Sequence, residues 1–232
     1  MDSSPPQHLI VILDAQYHHW QTSRPTVIQA TSPELTLTHV FGALNAFKRA
    51  LELQHCNNKF TLYLANGSTS GRVDSDFYQH ILQSTPGNGG VWRTTAQALC
   101  YLHKNTSKAR LLIIQKQVDS QEYHQALSVM VAAQQINTTI DGIGLGECEM
   151  LPQVCAFTDG IYIRQGQRGL LQTLFQVFLP IKRPKMPANF QLRPHCNCCN
   201  RQVDKAYVCS SCLALYCNHR PYCESCRCRF LV

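Results

Sequence analysis

The chain has 232 residues, of which 44% are hydrophobic and 15% charged, with 13 cysteines and a formal net charge of +7. That balance supplies a real core and excludes an intrinsically disordered chain, and no apolar run is long enough to span a bilayer, so a soluble protein with one ordinary domain and a small module is expected. The charge is unevenly placed: residues 1–181 carry 12 Lys+Arg and 12 Asp+Glu, whereas residues 182–232 carry nine and two, the entire excess.

His8–Leu13 (HLIVIL) is a short continuous apolar run, the pattern of a strand buried on both faces. Asp14 behind it falls at the carboxyl edge of a parallel sheet, where open α/β folds place their sites. A polar loop with Pro25 and Pro33 follows. Val40, Leu44, Phe47 and Leu51 recur at helical spacing, predicting a helix from about Leu37 to His55. Phe60–Ala65 (FTLYLA) is a second strand, closed by the Asn66-Gly67 turn signal. Phe77–Leu82 reads as a short helix and Pro86–Gly90 as a loop. Thr94–His103 is helical with Ala98, Leu99 and Leu102 inward, and Arg110–Gln115 (RLLIIQ) is a strand. Asp119-x-x-Glu122 has the form of a capping box. It opens a helix whose face is Tyr123, Ala126, Leu127, Met130 and Ala133, ending at Asn137. Thr139–Gly144 is a strand, Met150–Phe157 a short helix and Ile161–Arg164 a last strand. Leu170, Leu171, Leu174, Phe175 and Phe178 mark a final helix. This alternation predicts an α/β domain over residues 1–179, with a mostly parallel sheet and helices on both faces. Pro180, Pro184, Pro187 and Pro194 punctuate a linker over 180–194, and residues 195–232 form a separate module.

The α/β part lacks enzyme signatures. No GxGxxG follows the first strand, and there is no GxxxxGK[ST] and no GxSxG. Glu147 and Glu149 read as solvated loop carboxylates. His18 and His19 read as loop histidines packing beside Trp20 rather than as bases or ligands. Cys56, Cys100, Cys148 and Cys155 lie in or beside apolar segments and read as buried, inert thiols.

Chemistry is concentrated at the other end, where nine cysteines fall between residues 196 and 228. Cys209-x2-Cys212 and Cys223-x2-Cys226 are two knuckles whose separation puts four thiolates at the corners of a tetrahedron, the geometry and softness that zinc prefers. A disulfide framework is the competing reading. It is disfavoured because the chain begins Met-Asp-Ser-Ser-Pro-Pro without a leader and has few other cysteines, as in reduced compartments. Cys196 and either Cys198 or Cys199, with Cys217 alone or joined by His219, supply a second site in cross-brace order, and Cys228 is spare. Four thiolates close the shell, so zinc here is structural. The spacing also admits a RING-type ubiquitin ligase. The basic C-terminal segment admits direct nucleic-acid binding, and Lys182-Arg183-Pro184-Lys185 admits a nuclear-import signal.

Taken together, these features resemble the family of subunit 3 of the general transcription and DNA-repair factor TFIIH. The likeness rests on Ala98-Leu99-Cys100-Tyr101-Leu102-His103, Ala132-Ala133-Gln134, Thr158-Asp159-Gly160-Ile161-Tyr162 and Val177-Phe178-Leu179-Pro180. In the module it rests on Tyr207-Val208-Cys209-Ser210-Ser211-Cys212-Leu213, Cys217-Asn218, Pro221 and Cys223-x2-Cys226. The resemblance implies a von Willebrand A-like (Rossmann-like) domain joined to a zinc finger. It further implies a non-catalytic, nuclear, structural subunit of the TFIIH core, acting in nucleotide excision repair and in initiation by RNA polymerase II. Its partner would be a core subunit with its own von Willebrand A domain and zinc fingers; the helicases are other subunits. Many von Willebrand A domains hold a divalent ion through Asp-x-Ser-x-Ser. Here the stretch is Asp14-Ala15-Gln16-Tyr17-His18, and Lys116-Gln117 stands where Thr-Asp-Gly would, so no such site is expected. The chain ends four residues after Cys228, so no basic tail beyond the cysteines is expected. Leu213, Leu215, Tyr216 and Phe230 are expected to offer an interface.

Overall fold

The computed structural model describes residues 7–16, 20, 35–65, 71–73, 90–105, 109–116, 123–146, 148–166, 169–180, 196–199, 201–203 and 205–230. Strand β1 (His8–Asp14) is the middle of the main sheet and pairs in parallel with β2 (Lys59–Ala65) and β4 (Arg110–Gln115). β5 (Ile140–Gly144) and β6 (Tyr162–Arg164) continue the parallel set, and the three-residue β3 (Gly71–Val73) runs antiparallel beyond β2. The order is β3-β2-β1-β4-β5-β6.

Alternation along β1 divides the core in two. Leu9, Val11 and Leu13 face α1 (Leu37–Gln54), through its Val40, Phe41, Leu44, Phe47 and Leu51. The same layer takes Leu170, Leu174 and Phe178 of the last helix. That helix begins as α5 (Leu170–Thr173) and continues as a π turn over Leu174–Phe178. Ile10 and Ile12 face the other layer, made by α2 (Val91–Asn105), α3 (Tyr123–Gln135) and α4 (Met150–Phe157). Close approach explains Gly142 on β5, where an added Cβ would lie 2.8 Å from both Cys155 Sγ and Leu151 Cγ of α4.

One buried ion pair ties the far side of the sheet together. Arg110 Nε lies 3.3 Å from Asp141 Oδ2, with Asp141 fully buried. Arg110 also donates to the carbonyl of Phe178, and Asp141 Oδ1 accepts from Ile161 N–H at 3.0 Å. The turn between α4 and β6 is built around this pair. Thr158 Oγ1 accepts from Ile140 N–H at 3.1 Å and donates to the Val154 carbonyl at 2.9 Å. Asp159 takes a left-handed φ of 55°. A Cβ on Gly160 would fall 1.8 Å from the Ile140 carbonyl oxygen, so that position admits only glycine.

The expected alternation is present, with local differences. β3 lacks a periodic signal because it is three residues long and sits at an edge. α2 starts at Val91 rather than Thr94, because the Thr94 and Thr95 hydroxyls bond back to the carbonyls of Gly90 (3.3 Å) and Val91 (2.8 Å) inside the first turn. Of the residues that mark the final helix, Leu171 and Phe175 are 44% and 36% exposed, and Phe175 packs edge-on to Phe47. Cys155 is buried, but Cys56 and Cys100 are exposed, which corrects their reading as core thiols. Cys56 falls in the turn after α1, and Cys100 lies on the solvent side of α2. The expected Phe77–Leu82 helix, the Asn66-Gly67 turn, the Asp119–Glu122 box and the 181–194 stretch of the proline linker lie outside the described residues.

Removing one member of a buried ion pair strands the other, at a cost of about 3–5 kcal/mol. Asp141→Ala is expected to lose about that much stability in urea unfolding, and adding Arg110→Met should restore part of it. A double variant no more stable than Asp141→Ala would refute the coupling.

Candidate metal centre

In the cysteine-rich segment, β7 (Tyr207–Val208) and β8 (Leu215–Tyr216) form a two-stranded antiparallel ribbon. Cys209 and Cys212 sit in the turn between them. Leu213 N–H bonds to the Cys209 carbonyl at 2.8 Å, and Leu213 takes φ 64°. The second knuckle repeats this geometry, with Arg227 N–H on the Cys223 carbonyl at 2.7 Å and Arg227 at φ 60°. In both, the left-handed residue after the second cysteine turns the chain back, so both sulfurs of a knuckle face one point.

Two groups of four sulfurs result. Those of Cys209, Cys212, Cys223 and Cys226 lie within 4.8 Å of one another, and so do those of Cys196, Cys198, Cys199 and Cys217. In the first group Cys209 and Cys226 are 3.6 Å apart and Cys212 and Cys223 3.5 Å. In the second, Cys198 and Cys217 are 3.7 Å apart and Cys196 and Cys198 3.0 Å. Bonds of ~2.3 Å from a tetrahedral zinc imply sulfur separations of about 3.8 Å. All thirteen cysteines are free thiols. Each group can hold a metal ion, and eight soft donors in two closed sets suit zinc. Cys198 and Cys199 both belong to the second group, where the spacing left a choice between them. His219 belongs to neither. Its ring instead meets Tyr207 at 5.7 Å and Phe230 at 6.5 Å. Cys228 is also in neither group, and its carbonyl accepts from Cys223 N–H at 2.8 Å.

Tyr216 was not foreseen as part of this site. It is fully buried, its hydroxyl lies 3.2 Å from Cys223 Sγ, and it accepts from the N–H groups of Glu224 (3.0 Å) and Ser225 (3.3 Å). Its ring packs edge-on to Phe230. Leu215 is buried as well, so the reading of Leu215 and Tyr216 as interface residues is corrected. Their cross-strand partners Val208 and Tyr207 are each 50% exposed, so the burial comes from what packs against β8 and not from the ribbon itself.

The sulfurs ionise unequally. Burial pushes Cys223 up, but the Tyr216 hydroxyl and the N–H groups of Cys226 and Ser225 outweigh it and bring the thiol down to about 6. Cys196 behaves alike: burial raises it, and the Cys198 thiol with the N–H groups of Cys198, Cys199 and Cys217 lowers it to about 6. Cys217 is pushed up to about 12, chiefly by its contact with the Cys196 sulfur, and burial raises Cys212. One sulfur in each group is therefore ready to be a thiolate while neighbours resist. Full ionisation of a group calls for a cation among the sulfurs.

At the carboxyl edge of the main sheet, Asp14 is fully buried. Its oxygens accept from the N–H groups of Gln16 and Lys116, each at 3.3 Å, and its carbonyl accepts from Trp20 Nε1 at 2.8 Å. The Lys116 ammonium lies 4.5 Å from the centre of the Trp20 ring. Asp14 thus fastens the loop after β1 to the end of β4. Glu149 is exposed, while His18, His19 and Glu147 lie outside the described residues.

The family model described as transcription factor Tfb4 matches residues 83–227. Subunit tfb4 of the general transcription and DNA repair factor IIH of Schizosaccharomyces pombe is 30% identical over 162 residues, covering 66% of this chain and 54% of that protein. The chain spans about half the length of the curated relatives it matches. Among solved structures, the TFIIH p34 N-terminal domain superposes with a TM-score of 0.58 at 20% identity, covering 74% of this chain and 97% of that one. The SpRpn10 VWA domain superposes with a TM-score of 0.51 at 12% identity, covering 74% and 94%. The sheet and its helices therefore have a von Willebrand A-like fold.

Groups that orient a metal ligand typically change metal affinity 10- to 100-fold when removed. Tyr216→Phe should weaken zinc retention by about that factor in competition with a chromophoric chelator. An unchanged competition curve would leave the hydroxyl with a packing role alone.

Proposed function

The chain belongs to the Tfb4 transcription-factor family, and from that membership we propose that it is a non-catalytic structural subunit of the general transcription and DNA-repair factor IIH. The observation that carries this reading is the continuity of the family match, which runs from residue 83 through α2 to the second knuckle and so joins the sheet to the cysteines in one family. On this reading the protein is nuclear and serves nucleotide excision repair and RNA polymerase II initiation. Its partner is a core subunit carrying its own von Willebrand A domain and zinc fingers. A structural role also agrees with the carboxyl edge of the sheet, where the Asp14 oxygens are taken by backbone N–H groups.

The chain divides, in this proposal, into a von Willebrand A-like domain over 1–179, a linker over 180–194 and a zinc module over 195–232. Cys209, Cys212, Cys223 and Cys226 would hold one zinc ion, and Cys196, Cys198, Cys199 and Cys217 a second. Bound zinc would supply folding energy to a segment too small for a core of its own. The need is visible in its packing: the central cluster is Cys209, Ala214, Tyr216 and Cys223, half of it sulfur donors. The chain's own part is to aim eight sulfurs with three turns and one ribbon, and to exclude water with Tyr216 and Phe230.

Affinity purification of the tagged chain from its native cells is expected to recover a stoichiometric set containing two DNA helicases. Recovery of ubiquitin-conjugating enzymes, or of no partner, would overturn the proposal. Independently, Cys212→Ser should unfold the segment after residue 195 and leave the α/β domain folded. Unchanged protease resistance of that segment would count against the zinc assignment.

A further inference from the structure

The second knuckle has an outer face that neither zinc binding nor packing uses. Residues 221–223 and 228–230 run antiparallel: Tyr222 opposes Arg229, Cys223 N–H bonds to the Cys228 carbonyl at 2.8 Å, and Phe230 N–H bonds to the Pro221 carbonyl at 3.2 Å. Side chains alternate across such a pair. Cys223 and Phe230 point inward, to the sulfur group and to Tyr216. Tyr222 and Arg229, directly opposed, therefore share the outer face. Tyr222 is 56% exposed. Arg227, held out by its left-handed backbone at the tip of the same hairpin, is exposed as well. Among the described residues no carboxylate pairs with Arg227 or Arg229. The nearby Glu224 is engaged by Arg220.

We propose that Tyr222, Arg227 and Arg229 form a binding surface for single-stranded DNA, with a base stacked on the tyrosine ring and phosphates on the two guanidinium groups. The choice among acidic partners follows from the ring. Two arginines with no carboxylate partner among the described residues attract any polyanion, and the exposed Tyr222 ring directly opposite Arg229 adds a stacking platform that suits an unpaired base. A duplex keeps its bases stacked and offers that ring no base face. The surrounding charge agrees, because residues 182–232 carry nine basic residues against two acidic ones. The choice of DNA over RNA rests on the proposed role in a transcription and DNA-repair factor. The surface itself does not, so the binding test and the purification above can fail separately.

The test is fluorescence anisotropy of the full, zinc-loaded chain with a labelled mixed-sequence single-stranded DNA oligonucleotide, over a salt series. Binding should weaken steeply with salt, with the log–log slope falling by about 0.7 for each phosphate contact removed by Arg227→Ala or Arg229→Ala. Tyr222→Ala should weaken binding by about fivefold or more, and Tyr222→Phe should retain it. Zinc content unchanged in each variant would separate lost contacts from lost fold. Absence of binding at low salt, or binding indifferent to all three positions, would overturn the proposal. So would tighter binding of the same sequence as RNA. An acidic peptide bound as tightly, with sensitivity to the arginines but not to Tyr222, would assign the face to an acidic protein instead.

Discussion

Burial of β1 on both faces is the constraint on which the main body depends. Leu9 to Leu13 are all 1% exposed or less, and alternate residues feed two separate cores. A strand so placed cannot sit at an edge and cannot leave either side open. Parallel neighbours on both flanks force crossovers, and the crossovers bring the helices that cover the two faces. The buried Arg110–Asp141 pair then fixes how the later strands and the last helix close on that frame, because its hydrogen bonds reach the start of β6 and the end of the π turn.

The cysteine-rich segment obeys a different rule. Its order comes from where backbone turns place sulfur, and apolar area is secondary. Leu213 and Arg227 both adopt left-handed backbone although neither is glycine. Such strain persists only where the surroundings over-determine it, and here each residue's N–H closes a turn onto the first cysteine of its own knuckle. Tyr216 joins the two knuckles: it leaves the ribbon of the first, and its hydroxyl meets the sulfur and amides of the second.

The main elements of the sheet and the grouping of the cysteines were legible in the sequence for a common reason: both are periodic. HLIVIL and RLLIIQ announce doubly buried strands, the stripe from Val40 to Leu51 announces a helix, and paired CxxC announces convergent sulfurs. What stayed hidden depends on partners distant in sequence. β3 is visible only through its pairing with β2. The burial of Tyr216 is set by Cys223 and Phe230, which reach it from the second knuckle. Asp14 looked like a site residue because of its position, and only the amides of Gln16 and Lys116 reveal it as a fastener. Family words such as Thr158-Asp159-Gly160-Ile161 acquire a cause once the turn is seen: a hydroxyl bridging two elements, a left-handed residue, and a glycine with no room for a Cβ.

The two sulfur groups alternate along the chain: Cys196, Cys198 and Cys199 belong to one, Cys209 and Cys212 to the other, Cys217 completes the Cys196 group, and Cys223 and Cys226 complete the Cys209 group. During translation, neither group is complete until Cys217 has cleared the ribosome, and the Cys209 group waits only for the short stretch that follows, to Cys226. The nascent segment thus passes from wholly open to wholly closed within one short interval of synthesis. A premature stop between Cys212 and Cys217 would leave both groups incomplete at once.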